Sequence, residues 1–150
     1  MRRAIAALFA LTCLAGISGC SHAAPPVGRW EGIYDTNDTI VAARVEITAK
    51  GDIYLSAPDA MGVGGSSDED RAAIRQRLAD GLSESWGSVA PRRMDFDGKT
   101  FRKPGGIAPQ MQWDPASNTI TLILYPGTAP EIHIVLRPVK DFTPDPFSNA

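Results

Sequence analysis

The chain has 150 residues, of which 43% are hydrophobic and 21% charged, and its formal net charge at pH 7 is −2. These values are typical of one globular domain and exclude a highly charged disordered chain. Because binding to nucleic acid requires clustered positive charge, the mildly acidic balance argues against a nucleic acid as partner.

The N-terminal segment has the composition of an export signal. Arg2 and Arg3 precede a mainly apolar run over 4–15. A membrane-spanning helix needs about 20 apolar residues, so this run is too short to be one.

The end of this segment, Ile17-Ser18-Gly19-Cys20, resembles the lipobox of bacterial lipoproteins. The resemblance implies cleavage after residue 19 and acylation of Cys20 with chains such as palmitate. Ser21 implies sorting to the outer membrane, with the domain facing the periplasm. The alternative is a chance cysteine after an ordinary secretory signal.

Removal of the signal leaves 13 of the 15 basic residues against all 17 acidic ones. The second cysteine, Cys13, lies in the signal, so the mature domain keeps no thiol for disulfides, catalysis or metal binding. Residues 20–27 contain Pro25-Pro26 and predict an extended, lipidated tether. We expect a single domain over 28–140 and an irregular tail over 141–150.

Residues beyond the tether alternate between apolar and polar, which predicts a mainly β domain. Trp30, Gly32 and Tyr34 share one face of the first strand, and residues 40–56 predict a hairpin. Asp97-Gly98 predicts the turn of a second hairpin. With the strands expected near 111–113, 120–124 and 132–136, the pattern predicts an antiparallel, barrel-like meander of about eight strands.

One helix is expected within the strands, over about 67–84. Ile74, Leu78 and Leu82 form an apolar stripe, and either Ser66 with Glu69 or Ser67 with Asp70 forms a capping box. We expect Trp86 to anchor the end of the helix on the sheet. The glycine-rich residues 61–66 lack the lysine of a phosphate-binding loop and predict a flexible lead-in to the helix.

Gly28-Arg29-Trp30 resembles the Gly-x-Trp signature of lipocalins, and Arg137 stands where that family places an arginine over the tryptophan. The resemblance implies a barrel whose interior binds a small apolar ligand. The expected helix follows the third strand here, whereas it follows the barrel in the usual lipocalin.

Catalytic groups are sparse. His133 is the only histidine of the domain, and spacing along the strand predicts that Glu131 and Arg137 lie too far from it for direct hydrogen bonds unless long side chains reach across. Asp95 and Asp97 are expected to be solvated acids. We therefore predict no catalytic residue, no metal site and no cofactor.

Five cations cluster on one hairpin of this acidic chain: Arg92, Arg93, Lys99, Arg102 and Lys103. They predict either a contact surface for anionic partners or a charged edge that discourages aggregation.

Taken together, these features predict a non-catalytic binding module anchored by lipid in the bacterial envelope. Its ligand is expected to be small and apolar, contacted by residues on the sheet and the basic hairpin: Trp30, Tyr34, Arg93, Arg102 and Trp113. The alternative is an inhibitor or assembly factor that recognises an envelope protein through the 57–66 and 103–109 loops. An enzyme ranks below both.

Overall fold

The computed structural model describes residues 24–103 and 109–148. The predicted acylation site Cys20 and the centre of the 103–109 loop lie outside these residues. The elements are, in chain order, β1 (Gly28–Asp35), β2 (Thr39–Ile47), β3 (Ile53–Ser56), β4 (Met61–Gly62), α1 (Asp68–Trp86), β5 (Asp95–Phe96), β6 (Thr100–Arg102), β7 (Gln110–Asp114), β8 (Thr119–Leu124) and β9 (Ile132–Val139).

The nine strands form one antiparallel sheet in the order β3-β2-β1-β9-β8-β7-β6-β5, with the short β4 paired to β2. The sheet curls until its two edges approach each other. At this seam Arg92, just before β5, exchanges backbone hydrogen bonds of 2.7 and 3.3 Å with Ile53 of β3. The predicted mainly β, barrel-like fold with one helix is confirmed, and the ninth strand is the short β4.

Because side chains alternate along each strand, one set of them points to the inner face of the curled sheet. Trp30 is 2% exposed, and Phe101 and Met111 are fully buried. Trp113 packs on the core with its ring 6.0 Å from that of Trp30, edge to face. The predicted inward face of β1 is therefore correct.

Gly32 explains how β1 and β9 come so close together. A Cβ atom at this position would lie 2.3 Å from the backbone oxygen of Val135. The missing side chain thus serves the close approach of the two strands.

Helix α1 packs on the outer face of β2. Its N-terminus has the predicted capping box of Ser67 and Asp70, and Leu78 and Leu82 of the predicted stripe are buried. Arg71 and Arg75 both contact Asp35 at the end of β1, at 2.5 and 2.7 Å. Two ion pairs therefore hold the first half of the helix to the sheet.

The glycine-rich segment before the helix differs from its prediction as a flexible lead-in. Met61 and Gly62 pair with Ile40 and Thr39, and Val63 is 1% exposed in a small second core. The Val63 N–H also donates to the backbone oxygen of Asp38 at 2.8 Å. The apolar Met61 and Val63 therefore hold this segment on the sheet.

The C-terminal residues 141–148 cross the outer face of the sheet above a buried ion pair. Arg44 donates from Nε to Glu31 Oε2 at 2.8 Å and also to the backbone oxygen of Thr143. The Thr143 hydroxyl in turn donates to Glu31 Oε1 at 2.6 Å. Phe142 packs on Trp86, with ring centroids 4.5 Å apart, so Trp86 anchors the helix end on this C-terminal segment.

The arginine expected from the lipocalin resemblance is not packed over Trp30. Arg137 is exposed and stands opposite Glu31 in the pairing of β9 with β1. Neighbouring residues of a strand point to opposite faces, so Arg137 lies on the outer face while Trp30 lies in the core.

Candidate binding cleft

Aromatic and methionine side chains fill the interior of the curled sheet. Besides the buried Trp30, Phe101 and Met111, the partly buried Phe96 and Trp113 pack on the same core. Phe96 stacks on Phe101 with ring centroids 4.3 Å apart. Space for a ligand is therefore found at the rim of the barrel.

A cleft of about 410 Å³ opens beside the seam where β3 meets the chain before β5. Two of its lining residues belong to or pack on the core: Leu55 is 4% exposed, and Met94 is partly buried against the same cluster. The rest of the lining consists of two prolines and three cations: Pro91, Pro109, Arg92, Arg93 and Lys103. The cleft thus has an apolar floor and a cationic rim.

The three cations of this cleft are exposed. Within residues 24–103 and 109–148, no ion pair involves any of them. Two acidic side chains lie nearby. Asp52 and Asp95 line a neighbouring hollow that shares Arg93 and Met94 with the cleft. The rim nevertheless keeps an excess of positive charge.

Arg102, the other predicted contact on the basic hairpin, lies apart from the cleft. It lines a separate hollow with Phe96 and Asp97 on the β5–β6 hairpin. Backbone N–H groups of Thr100 and Lys99 donate to Asp97 and lower the pKa of its carboxyl group. This acid shapes the turn, as expected of a residue beside a hairpin Gly98 with φ of 97°.

Of the predicted contact residues, the structure places only Arg93 in the cleft. Trp30 is in the core, and Tyr34 and Trp113 are partly buried against it. Arg92 and Lys103 of the cleft belong to the cation cluster that is visible in the sequence. Leu55 and Met94 carry no such signal, because only the closure of the sheet brings the end of β3 beside the hairpin.

His133 lies on the exposed outer face of β9. Its Nε2 is 3.0 Å from Glu131 Oε2, so the long glutamate side chain makes the direct hydrogen bond that strand spacing alone does not allow. The Gly127 N–H donates to Glu131 at 2.6 Å, and this bond, followed by that to His133, lowers the pKa of the glutamate.

Replacing His133 with alanine is expected to leave folding and ligand binding nearly unchanged, because the side chain is 52% exposed and lies outside the cleft. Thermal unfolding and ligand titration of the variant test this. A loss of function with an unchanged melting temperature would contradict it and favour a catalytic or binding role for this histidine.

In the described part of the chain, no group of three or more histidine, cysteine, aspartate or glutamate side chains is arranged to hold a metal ion. No helix in the same residues is both long and apolar enough to cross a membrane.

In comparisons with known proteins, no protein family, no curated protein and no solved structure matches the chain.

Proposed function

We propose that this protein is a lipid-anchored binding module of the bacterial envelope, whose rim cleft takes a ligand with an acidic head and an apolar body. The observation that carries the proposal is the cleft itself, in which three cations without an acidic partner among the described residues surround the apolar floor of Leu55 and Met94.

The cationic rim of the cleft favours an acidic group, and its apolar floor favours an alkyl chain of the same ligand. A carboxylate or phosphate receives charge-assisted hydrogen bonds from guanidinium and ammonium groups, and arginine binds such groups with two donors at once. The floor gains free energy when an alkyl chain covers it, because apolar surface leaves water. A neutral apolar ligand would gain only the free energy of covering the floor. The barrel interior, where a lipocalin binds such a ligand, is filled by side chains.

Dodecyl phosphate, below its micelle concentration, is expected to bind the soluble fragment that begins at Ser21. Replacing Arg92 and Arg93 together with glutamine should weaken this binding by about tenfold or more, because two charge-assisted contacts are lost. Isothermal titration calorimetry measures the change.

Three controls make this titration specific. Arg77→Gln removes an exposed cation of the helix, outside the cleft, and should not change the affinity. Dodecyl maltoside carries the chain without the charge and inorganic phosphate the charge without the chain, so both should bind more weakly. Equal binding of the neutral and the anionic detergent would contradict the proposal.

The anchor is tested separately from the cleft. Cells fed a labelled palmitate should incorporate it into the wild-type protein, whereas Cys20→Ser should take up none and accumulate as an uncleaved or mis-sorted precursor. A wild-type protein without label would show that residues 1–20 are an ordinary secretory signal or serve another purpose.

Recognition of an envelope protein through the 57–66 and 103–109 loops is the second candidate function. The first of these loops is less available than its sequence indicates, since β4 and the buried Val63 hold it to β2. An affinity for dodecyl phosphate that is unchanged by Arg92→Gln and Arg93→Gln would favour this candidate over the cleft.

A further inference from the structure

We infer that the rim of the barrel beside the tether docks on the anionic headgroups of the membrane that carries the lipid anchor. The inference rests on the proposed acylation of Cys20 and adds an interaction surface with a defined partner, a bilayer containing anionic lipid. It does not depend on which ligand the cleft takes.

The sheet register places the start of the domain close to the cationic rim. Gly28, the first residue of β1, pairs with Ile47 of β2, Ile47 pairs with Ile53 of β3, and Ile53 pairs with Arg92. Neighbouring strands lie about 4.8 Å apart, so Arg92 lies within about 15 Å of Gly28. The chain therefore enters the domain beside the cleft.

Positive charge continues from the cleft along this rim. The hollow next to the cleft is lined by Lys50 of the β2–β3 turn and shares Arg93 with the cleft. Across the two hollows, Lys50, Arg92, Arg93 and Lys103 outnumber Asp52 and Asp95. This surface is cationic on a protein whose mature chain is acidic overall.

The tether keeps this rim near the bilayer. Residues 20–27 span at most about 3.6 Å each, so Gly28 stays within about 30 Å of the acylated cysteine. Val27, directly before β1, is 63% exposed and adds an apolar side chain to the same place. The opposite end of β1, at Asp35, is roughly 25 Å further from the tether, because a strand rises about 3.3 Å per residue.

The chemistry of the partner follows from the charge and the distance. Anionic lipid headgroups form the surface that the tether holds within reach, and they attract basic residues within about one Debye length, roughly 8 Å at physiological ionic strength. We therefore expect the domain to lie with Lys50, Arg92 and Arg93 against the headgroups and its far end directed away.

The orientation is measurable with single fluorescent labels, since the mature chain has no cysteine besides Cys20 and acylation consumes that thiol. Ala49→Cys places a label on the exposed β2–β3 turn, and Asn37→Cys places one on the exposed turn at the far end of β1. The acylated full-length protein, purified from membranes, is reconstituted into vesicles that contain a phosphatidylcholine with a nitroxide quencher in its headgroup.

Adding phosphatidylglycerol to one-third of the lipid should raise quenching at position 49 by about twofold or more and leave position 37 unchanged. Raising the salt to about 1 M, where the Debye length is about 3 Å, should reverse the rise. Arg92→Gln with Arg93→Gln should abolish the rise, and Arg77→Gln should preserve it.

Two results overturn the inference and are distinguishable. A protein that leaves both kinds of vesicle lacks the lipid anchor, which also contradicts the proposed localisation. A protein that stays on the vesicles but shows no anionic-lipid response at position 49, or equal responses at both positions, is anchored without docking, and the proposed cleft binding then stands unaffected.

Discussion

Replacing Arg44 with alanine is expected to lower the free energy of unfolding by about 3–5 kcal/mol, because it leaves a buried carboxylate without its partner. Arg44 and Glu31 have side chains that are 3% and 6% exposed. The variant also removes the donor to the backbone oxygen of Thr143, so the C-terminal residues should become more accessible to protease. Chemical denaturation of the fragment from Ser21 onward measures the first effect.

Two further variants separate the missing partner from the missing side chain. Arg77→Ala shortens an exposed arginine on the helix and should change stability by less than about 0.5 kcal/mol. Glu31→Leu combined with Arg44→Met removes both charges and should restore much of the loss, since apolar replacements of a buried pair are often neutral or stabilising. A double variant as unstable as Arg44→Ala would mean that the hydrogen bonds to the C-terminal segment dominate.

Trp30→Ala should destabilise the domain by about 3–5 kcal/mol, because the indole is buried among core residues of β1, β2 and β7 and its loss leaves a cavity. The exposed fraction of Trp30 is 2%, and its ring meets that of Trp113 at 6.0 Å. Denaturant unfolding monitored by far-ultraviolet circular dichroism gives the change. A loss well under 1 kcal/mol would mean that the core relaxes around the gap.

The indole nitrogen offers a sharper comparison. Among the described residues, Trp30 Nε1 is the buried side-chain polar atom without a hydrogen-bond partner. Trp30→Phe removes this orphaned donor while keeping most of the apolar volume, so it should cost less than about 1.5 kcal/mol. Val27→Ala, at an exposed apolar position just before β1, should change stability by less than about 0.5 kcal/mol.

Local patterns in the sequence predicted most of the strands. Apolar alternation over 41–47 identified β2, Asp97-Gly98 identified the β5–β6 turn, and the capping residues identified the start of α1. These signals are local because side-chain alternation, turn conformation and capping each depend on a few neighbouring residues. The short β4 escaped prediction because two residues carry too little alternation to be recognised.

The cleft and the buried ion pair could not be predicted in the same way, because they depend on contacts between distant parts of the chain. Leu55 becomes the floor of a cleft only when β3 closes against the residues before β5. Glu31 and Arg44 have the alternation of solvent-facing strand residues, yet the helix and the C-terminal segment cover them. The sequence holds no local signal for what will cover a sheet face.

The pairing of β1 with β9 has a consequence for how the protein folds. The first and last strands are neighbours in the sheet, and the hydrogen bond from Arg29 to Asp141 beside them joins residues 112 positions apart. Contacts between such distant residues close a long loop, which is slow compared with forming hairpins or helices. Until β9 has been synthesised, β1 and β8 each expose an edge that can pair with another chain, so truncation before residue 132 should produce aggregation rather than a smaller barrel. The sheet is thereby expected to close only after β9 has been synthesised, and a chain that stays open until then is suited to the export that the proposed anchor requires.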